Sequence, residues 1–165
     1  MIQRIKQPVY KDNRGAFTPI ELSGNWVQTN ISINDKVGVF RGMHYQRAPK
    51  EQTKVVAVLQ GKIVDFVLDI RPNSSTFGKL EHYELEVGDA LIVPKGYAHG
   101  FITLQSNSIV NYLVDELYSP QDEGCIFWET VPALKELIDG YTKELQCQLT
   151  ISDKDLQGTT LQQAI

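Results

Sequence analysis

The sequence lacks the marks of several large protein classes. Its two cysteines, Cys125 and Cys147, lie far apart and outside any C-x-x-C spacing, so neither a disulfide framework nor a zinc ribbon is indicated. No apolar run reaches the roughly 20 residues that a membrane-crossing helix needs, and Met1 to Tyr10 carries no apolar signal-peptide core. Positive charge is not in excess: 16 Lys and Arg stand against 20 Asp and Glu, for a net charge of -4. A nucleic-acid partner, which calls for a basic face, is therefore not expected, and neither is a membrane. Repeats of roughly 20 to 50 residues and low-complexity tracts are absent as well. These absences lead us to expect a soluble, reduced, cytoplasmic protein. With 165 residues, 42% of them apolar, one domain over 1–165 with a real core is expected.

Short strands separated by turn signals fill the first three-quarters of the chain. Asp12-Asn13-Arg14-Gly15 reads as a hairpin loop. Arg14 at its tip is either a solvated turn residue or an anion contact. Trp26 to Ile33 alternates, setting Gln28, Asn30 and Ser32 on one face. Such a polar row is solvent-exposed on most sheets, but in a barrel mouth it would hydrogen-bond a ligand. Further strands are read at Val37–Gln46, Lys54–Leu59, Lys62–Ile70, Lys79–Leu85, Leu91–Pro94, Ala98–Leu104 and Ile109–Asp115. Their density indicates an all-β barrel or sandwich. After Trp128 the pattern changes. Pro132 to Ile138 reads as a short helix with Gly140 as its stop, and the tail from Thr159 reads as loosely held.

Phe40-Arg41-Gly42-Met43-His44-Tyr45-Gln46 is the stretch with most chemistry. His44 and Gln46 share a strand face and Tyr45 takes the other. A hairpin to the strand opened by Lys54 would bring an ammonium near the imidazole. A base and a fixed cation in one cavity suit proton abstraction with stabilisation of the resulting anion. Arg47, Lys50 and Lys54 form a small cationic group beside it, either a solvated rim or a phosphate contact.

Gly88 to His99 reads G-x5-P-x-G-x2-H, which resembles the second motif of the cupin superfamily, a double-stranded β-helix or jelly roll. Metal-binding cupins carry a first motif resembling H-x-H. Here Gln46 holds the second histidine's place, and Glu51 is the only further carboxylate nearby. Two histidines fall short of the three protein ligands of a catalytic metal, so no metal is expected. His82 sits on an alternating strand among charged residues and reads as a surface group. His99 by itself would be either a cavity residue or a hydrogen-bonded core histidine.

Taken in order, Asp12-Asn13-Arg14-Gly15, Gln28-Thr29-Asn30, Arg41 to Gln46, Lys54, Val67 to Arg71 with Ser75-Thr76-Phe77-Gly78, Pro94 to Phe101, Asn111-Tyr112, Tyr118-Ser119-Pro120 with Glu123-Gly124, and Ile151 to Asp155 resemble the signatures of the RmlC family. These are the dTDP-4-dehydrorhamnose 3,5-epimerases and related sugar-nucleotide epimerases. The resemblance implies a cupin jelly roll with a short C-terminal helix, acting on a dTDP-like 4-keto nucleotide sugar without a cofactor. It implies His44 as general base, Asp155 as the carboxylate orienting it, Lys54 as stabiliser of the enolate and Tyr112 as proton donor from the opposite side. Arg14, Gln28, Asn30, Arg41, His99, Glu123 and Lys154 match positions that contact the nucleotide sugar. Tyr118 is a second candidate donor or a binding residue. The counterpart of Arg14 reaches a neighbouring subunit's site, which implies a homodimer. Pro19 stands where the family carries a glutamate, and the tryptophan common near the C-terminus is absent.

The chemistry accounts for these residue types. A 4-keto group acidifies the hydrogens on carbons 3 and 5, and the enolate formed on deprotonation calls for a preorganised cation. Inversion needs reprotonation from the other face, and a phenol near its reference pKa of about 10 stays protonated and donates. Two other classes compete. A 3,4-ketoisomerase would carry a second histidine where Gln46 stands. A non-catalytic sugar-binding cupin would be expected to have lost one of His44, Lys54, Tyr112 and Asp155.

Overall fold

A computed structural model describes residues 1–164. Two antiparallel five-stranded sheets curl against each other as a jelly roll. One sheet has the order β1 (Gln3–Lys6), β9 (Asp89–Val93), β6 (Lys54–Gln60), β11 (Ser108–Val114), β4 (Gln28–Asn34). The other runs β12 (Glu123–Cys125), β5 (Phe40–Gln46), β10 (Tyr97–Thr103), β7 (Lys62–Asp69), β8 (Leu80–Glu86). A separate hairpin of β2 (Tyr10–Asp12) and β3 (Gly15–Phe17) carries Arg14 at its tip.

Alternation along the strands fills three layers. Inward-facing Val56, Val58, Val67, Leu91, Phe101 and Val110 form a dry core between the sheets. Phe40, Met43, Tyr45, Phe66 and Leu68 point outward from the second sheet, where α1 (Pro132–Glu144) covers them with Leu134 and Ile138. Val55, Ala57 and Ala90 on the back of the first sheet are covered by Ile20, Leu22 and Trp26 of the loop before β4.

The two strands of the His44 region are arranged differently from expectation. No hairpin joins β5 to β6: they belong to opposite sheets, so Lys54 faces His44 across the interior. The β5–β10 pairing also slips. His99 pairs with His44, yet Phe101 pairs with Arg41, so β5 carries one extra residue. Residues three apart on a regular strand face opposite ways, and this bulge turns both Arg41 and His44 into the interior. Glycine makes the crossing possible. A Cβ on Gly100 would sit 2.6 Å from the Arg41 carbonyl oxygen, and Gly42 has φ +136° with Gly100 Cα 2.5 Å from where its own Cβ would be.

The C-terminal third is better ordered than its composition suggests. α1 runs straight through Gly140 to Glu144, because Leu134, Ile138 and Tyr141 continue one apolar stripe onto the core and outweigh the roughly 1 kcal/mol helix penalty of glycine. Thr159 to Ala164 is held rather than loose, and Ile165 lies outside the described residues. Thr160 and Gln163 form a capping box, and the Tyr45 hydroxyl donates to the Ala164 carbonyl at 3.3 Å. Between them, α2 (Asp153–Leu156) is capped by Ser152, whose hydroxyl accepts from the Asp155 amide at 3.2 Å. No helix among the described residues is long and apolar enough to cross a membrane.

Candidate active site

A cavity of about 440 Å³ opens between the sheets at the end the dry core leaves unfilled. β4 contributes Gln28, Asn30 and Ser32, β5 Arg41, His44 and Gln46, β6 Lys54, β10 His99 and β11 Tyr112. Tyr118 and Glu123 stand at its mouth. Strands from both sheets thus converge on one space residues that lie far apart in sequence.

His44 and Asp155 form its central pair, Nε2 to Oδ1 at 2.8 Å. Burial alone would raise the Asp155 carboxyl, but the hydrogen bond and charge of His44, the Gly42 amide and Ser152 hold it below the usual carboxylate range. The ionised carboxylate only accepts, so Nε2–H donates, and in the neutral ring it is Nδ1 that carries the lone pair. Asp155 is 3% exposed, and its second oxygen takes the Gly42 amide at 3.1 Å. The one-turn helix α2 exists to deliver this acid against β5.

Across the interior, burial pushes Lys54 down to about 8, opposed by the charges of Asp65 and Glu123. At neutral pH it remains an ammonium. Tyr112 is raised, first by burial and then by Asp65, against the pull of Arg41 and Ser32, so its phenol stays protonated. Its ring meets the edge of His99 at 5.9 Å between centroids. Burial, Lys54 and His44 together push His99 well below its usual pKa, and it stands as a neutral imidazole whose Nδ1 lies 3.4 Å from Asp65.

The rim is polar. The Tyr118 hydroxyl donates to Glu123 at 2.7 Å, and the Lys154 ammonium pairs with the same carboxylate at 2.5 Å. Burial raises Glu123, but Lys154 and Tyr118 more than offset it and leave it below its ordinary value. Arg41 donates to Asn34 at 2.9 Å. Of the anticipated residues Arg14 alone is remote. It is exposed on the projecting hairpin and pairs with Asp12. His82 is exposed as anticipated.

Sequence reasoning gave no role in the site to three groups. Asp65 is wholly buried, with one oxygen lacking any partner, and burial raises it well above its ordinary value against the Lys54 charge. An acid in the middle of the apolar run of β7 was the available signal. Cys125 pairs with His44 in register, and its sulfur lies within 4.8 Å of the ligand atoms of His44 and Asp155. Burial pushes its thiol up to about 12, and Nε2 of His44 is already engaged by Asp155. The trio therefore reads as a hydrogen-bonded pair backed by a neutral thiol. The third group is Gln46, which is buried and fully hydrogen-bonded.

The family model for dTDP-4-dehydrorhamnose 3,5-epimerase matches residues 2–163. The chain belongs to that family. It is 36% identical over 162 residues to the dTDP-4-dehydrorhamnose 3,5-epimerase of Methanothermobacter thermautotrophicus, covering 92% of this chain and 84% of that one. The crystal structure of the epimerase from Sulfolobus tokodaii superposes with a TM-score of 0.82 at 40% identity, over 99% of this chain and 92% of that one. The Legionella pneumophila enzyme, solved in complex with dTDP-4-keto-L-rhamnose, gives 0.81 at 29% identity over 98% and 88%. The epimerase family is thus the setting in which the cavity of this chain is to be read.

Proposed function

We propose that this protein epimerises a nucleotide-linked 4-keto-6-deoxy sugar, with dTDP-4-dehydrorhamnose chemistry as its type reaction. His44 removes the proton beside the ketone through Nδ1, and Asp155 stabilises the imidazolium that forms. The ammonium of Lys54 stabilises the enolate oxygen. Tyr112, kept protonated by its burial, returns a proton from the far face. His99, neutral and tied to Asp65, offers a hydrogen bond to the sugar, while Gln28, Asn30, Arg41, Tyr118, Glu123 and Lys154 bind the nucleotide end. The observation carrying the reading is the His44–Asp155 pair on one wall with Lys54 and Tyr112 lining the same cavity from the opposite sheet. The ketone supplies the electron sink, so the proposal calls for no cofactor.

We read the working form as a homodimer and its compartment as the cytoplasm. Val27, just before edge strand β4, and Ile31 and Ile33 within it are apolar side chains 53%, 61% and 64% exposed, which supports a covered face. Arg14 on its hairpin is in reach of nothing in its own cavity, in keeping with a contact to the partner's site. The two unpaired cysteines fit a reducing compartment.

The test is proton NMR of the purified protein with dTDP-4-keto-6-deoxyglucose in deuterated water. Deuterium entering at carbon 3 or 5 is expected, and His44→Asn, folded by circular dichroism, should abolish it. Undiminished exchange in that variant removes His44 from the mechanism.

A further inference from the structure

Gln46 stands on β5 beside His44, only 7% exposed, and its side chain spends every hydrogen bond on backbone. Its Nε2 donates to the Lys50 carbonyl at 2.5 Å and the Leu117 carbonyl at 3.3 Å, and its Oε1 accepts the Ser119 amide at 2.7 Å. From the other sheet, Oε1 of Gln28 accepts the Tyr118 amide at 3.1 Å. Two carboxamides on opposite sheets thus hold the peptide groups on both sides of Tyr118. Outside this clamp the loop from β11 to β12 crosses the cavity mouth, and the Tyr118 hydroxyl reaches Glu123, the register partner of Gln46 on β12.

We propose that Gln46 is a positioning residue: its carboxamide, opposed by that of Gln28, fixes Tyr118 at the cavity mouth and so sets affinity for the nucleotide end of the substrate. Only an amide offers two donors and an acceptor, here one donor to the Lys50 carbonyl and a donor and an acceptor to the peptide groups flanking Tyr118. A carboxylate would face two carbonyls, and an imidazole would present a single donor. Gln46 acts on binding and not on proton transfer, because none of its bonds reaches His44, Asp155, Lys54 or Tyr112. This role rests on the epimerase reading, but the clamp itself is testable without substrate.

The experiment compares Gln46→Met and the shorter amide Gln46→Asn, alone and combined with Tyr118→Ala. KM and kcat are measured with dTDP-4-keto-6-deoxyglucose, and amide hydrogen exchange with the ligand-free protein. Losing the anchored peptide is expected to raise KM about ten-fold with kcat within about two-fold. In the Tyr118→Ala background the same substitutions should leave KM unchanged, because the two residues act as one unit. Faster exchange is expected at the Tyr118 and Ser119 amides in the single variants. Additive KM effects, a fall in kcat at constant KM, or unchanged exchange at those amides would each overturn the proposal. Where Gln46→Met fails to fold, Gln46→Asn carries the same three readouts. A wild-type protein without turnover overturns the epimerase reading, whereas slow amide exchange in the variants overturns the clamp, so the two failures are distinct.

Discussion

Replacing Lys54 by methionine separates the cost of a buried cation from its use. In the folded protein burial lowers this amine from 10.5 to about 8, whereas the unfolded chain keeps it at about 10.4. Between those values the unfolded state binds the additional proton, so the Lys54 contribution to unfolding free energy rises with pH. Below about pH 8 the penalty is present in full, and it is relieved as pH climbs through the window. Its ceiling is about 3 kcal/mol, reduced in practice because Lys54 is only half-buried and borders the open cavity. Integrated from pH 7 to 9.5, the relief comes to about 2 kcal/mol. Lys54→Met should therefore be more stable than wild type at pH 7, by a margin that shrinks by about 2 kcal/mol at pH 9.5. Urea unfolding of both proteins at the two pH values reads this directly. Taking the difference cancels the titration of other groups, and its slope with pH is free of packing effects. The same variant should lose about 10²- to 10³-fold in kcat, and the wild-type rate should decline above about pH 8 as the ammonium is lost. A stability gap independent of pH, or a variant with near wild-type turnover, would refute the assignment of a buried functional cation.

Tyr112→Phe should leave deuterium exchange at the first carbon largely intact while reducing epimerised product by two orders of magnitude or so; equal loss of both signals, followed by NMR, would make Tyr112 a packing residue. Ile31→Asp with Ile33→Asp should convert a dimer to a monomer in analytical ultracentrifugation, and an unchanged sedimentation coefficient would free that face from the interface. Gly140→Ala should stabilise by about 0.5–1 kcal/mol, because Gly140 sits inside α1 with nothing within 4 Å of the added methyl. A drop in melting temperature would show that the glycine is needed there.

The sequence determined the strands and their alternation, since those depend on local periodicity and turn chemistry, and its likeness to the family named the candidate reacting groups. The Gly88–His99 spacing placed a histidine at the start of β10, and the polar row of β4 does face the cavity. The sequence also carried the family, because signatures from Asp12 to Asp155 keep their order. Tertiary structure decided which distant groups meet. Asp155 reaches His44 across 111 residues, and Lys54 faces the same cavity from the opposite sheet, where a local hairpin was the sequence's only suggestion. Arg41 joins them because a bulge breaks the two-residue period, and α1 passes Gly140 because its packed stripe outweighs a local stop signal. Asp65 and Gln46 were legible as residues but not as neighbours, for burial and hydrogen bonding are properties of the folded chain and not of its order.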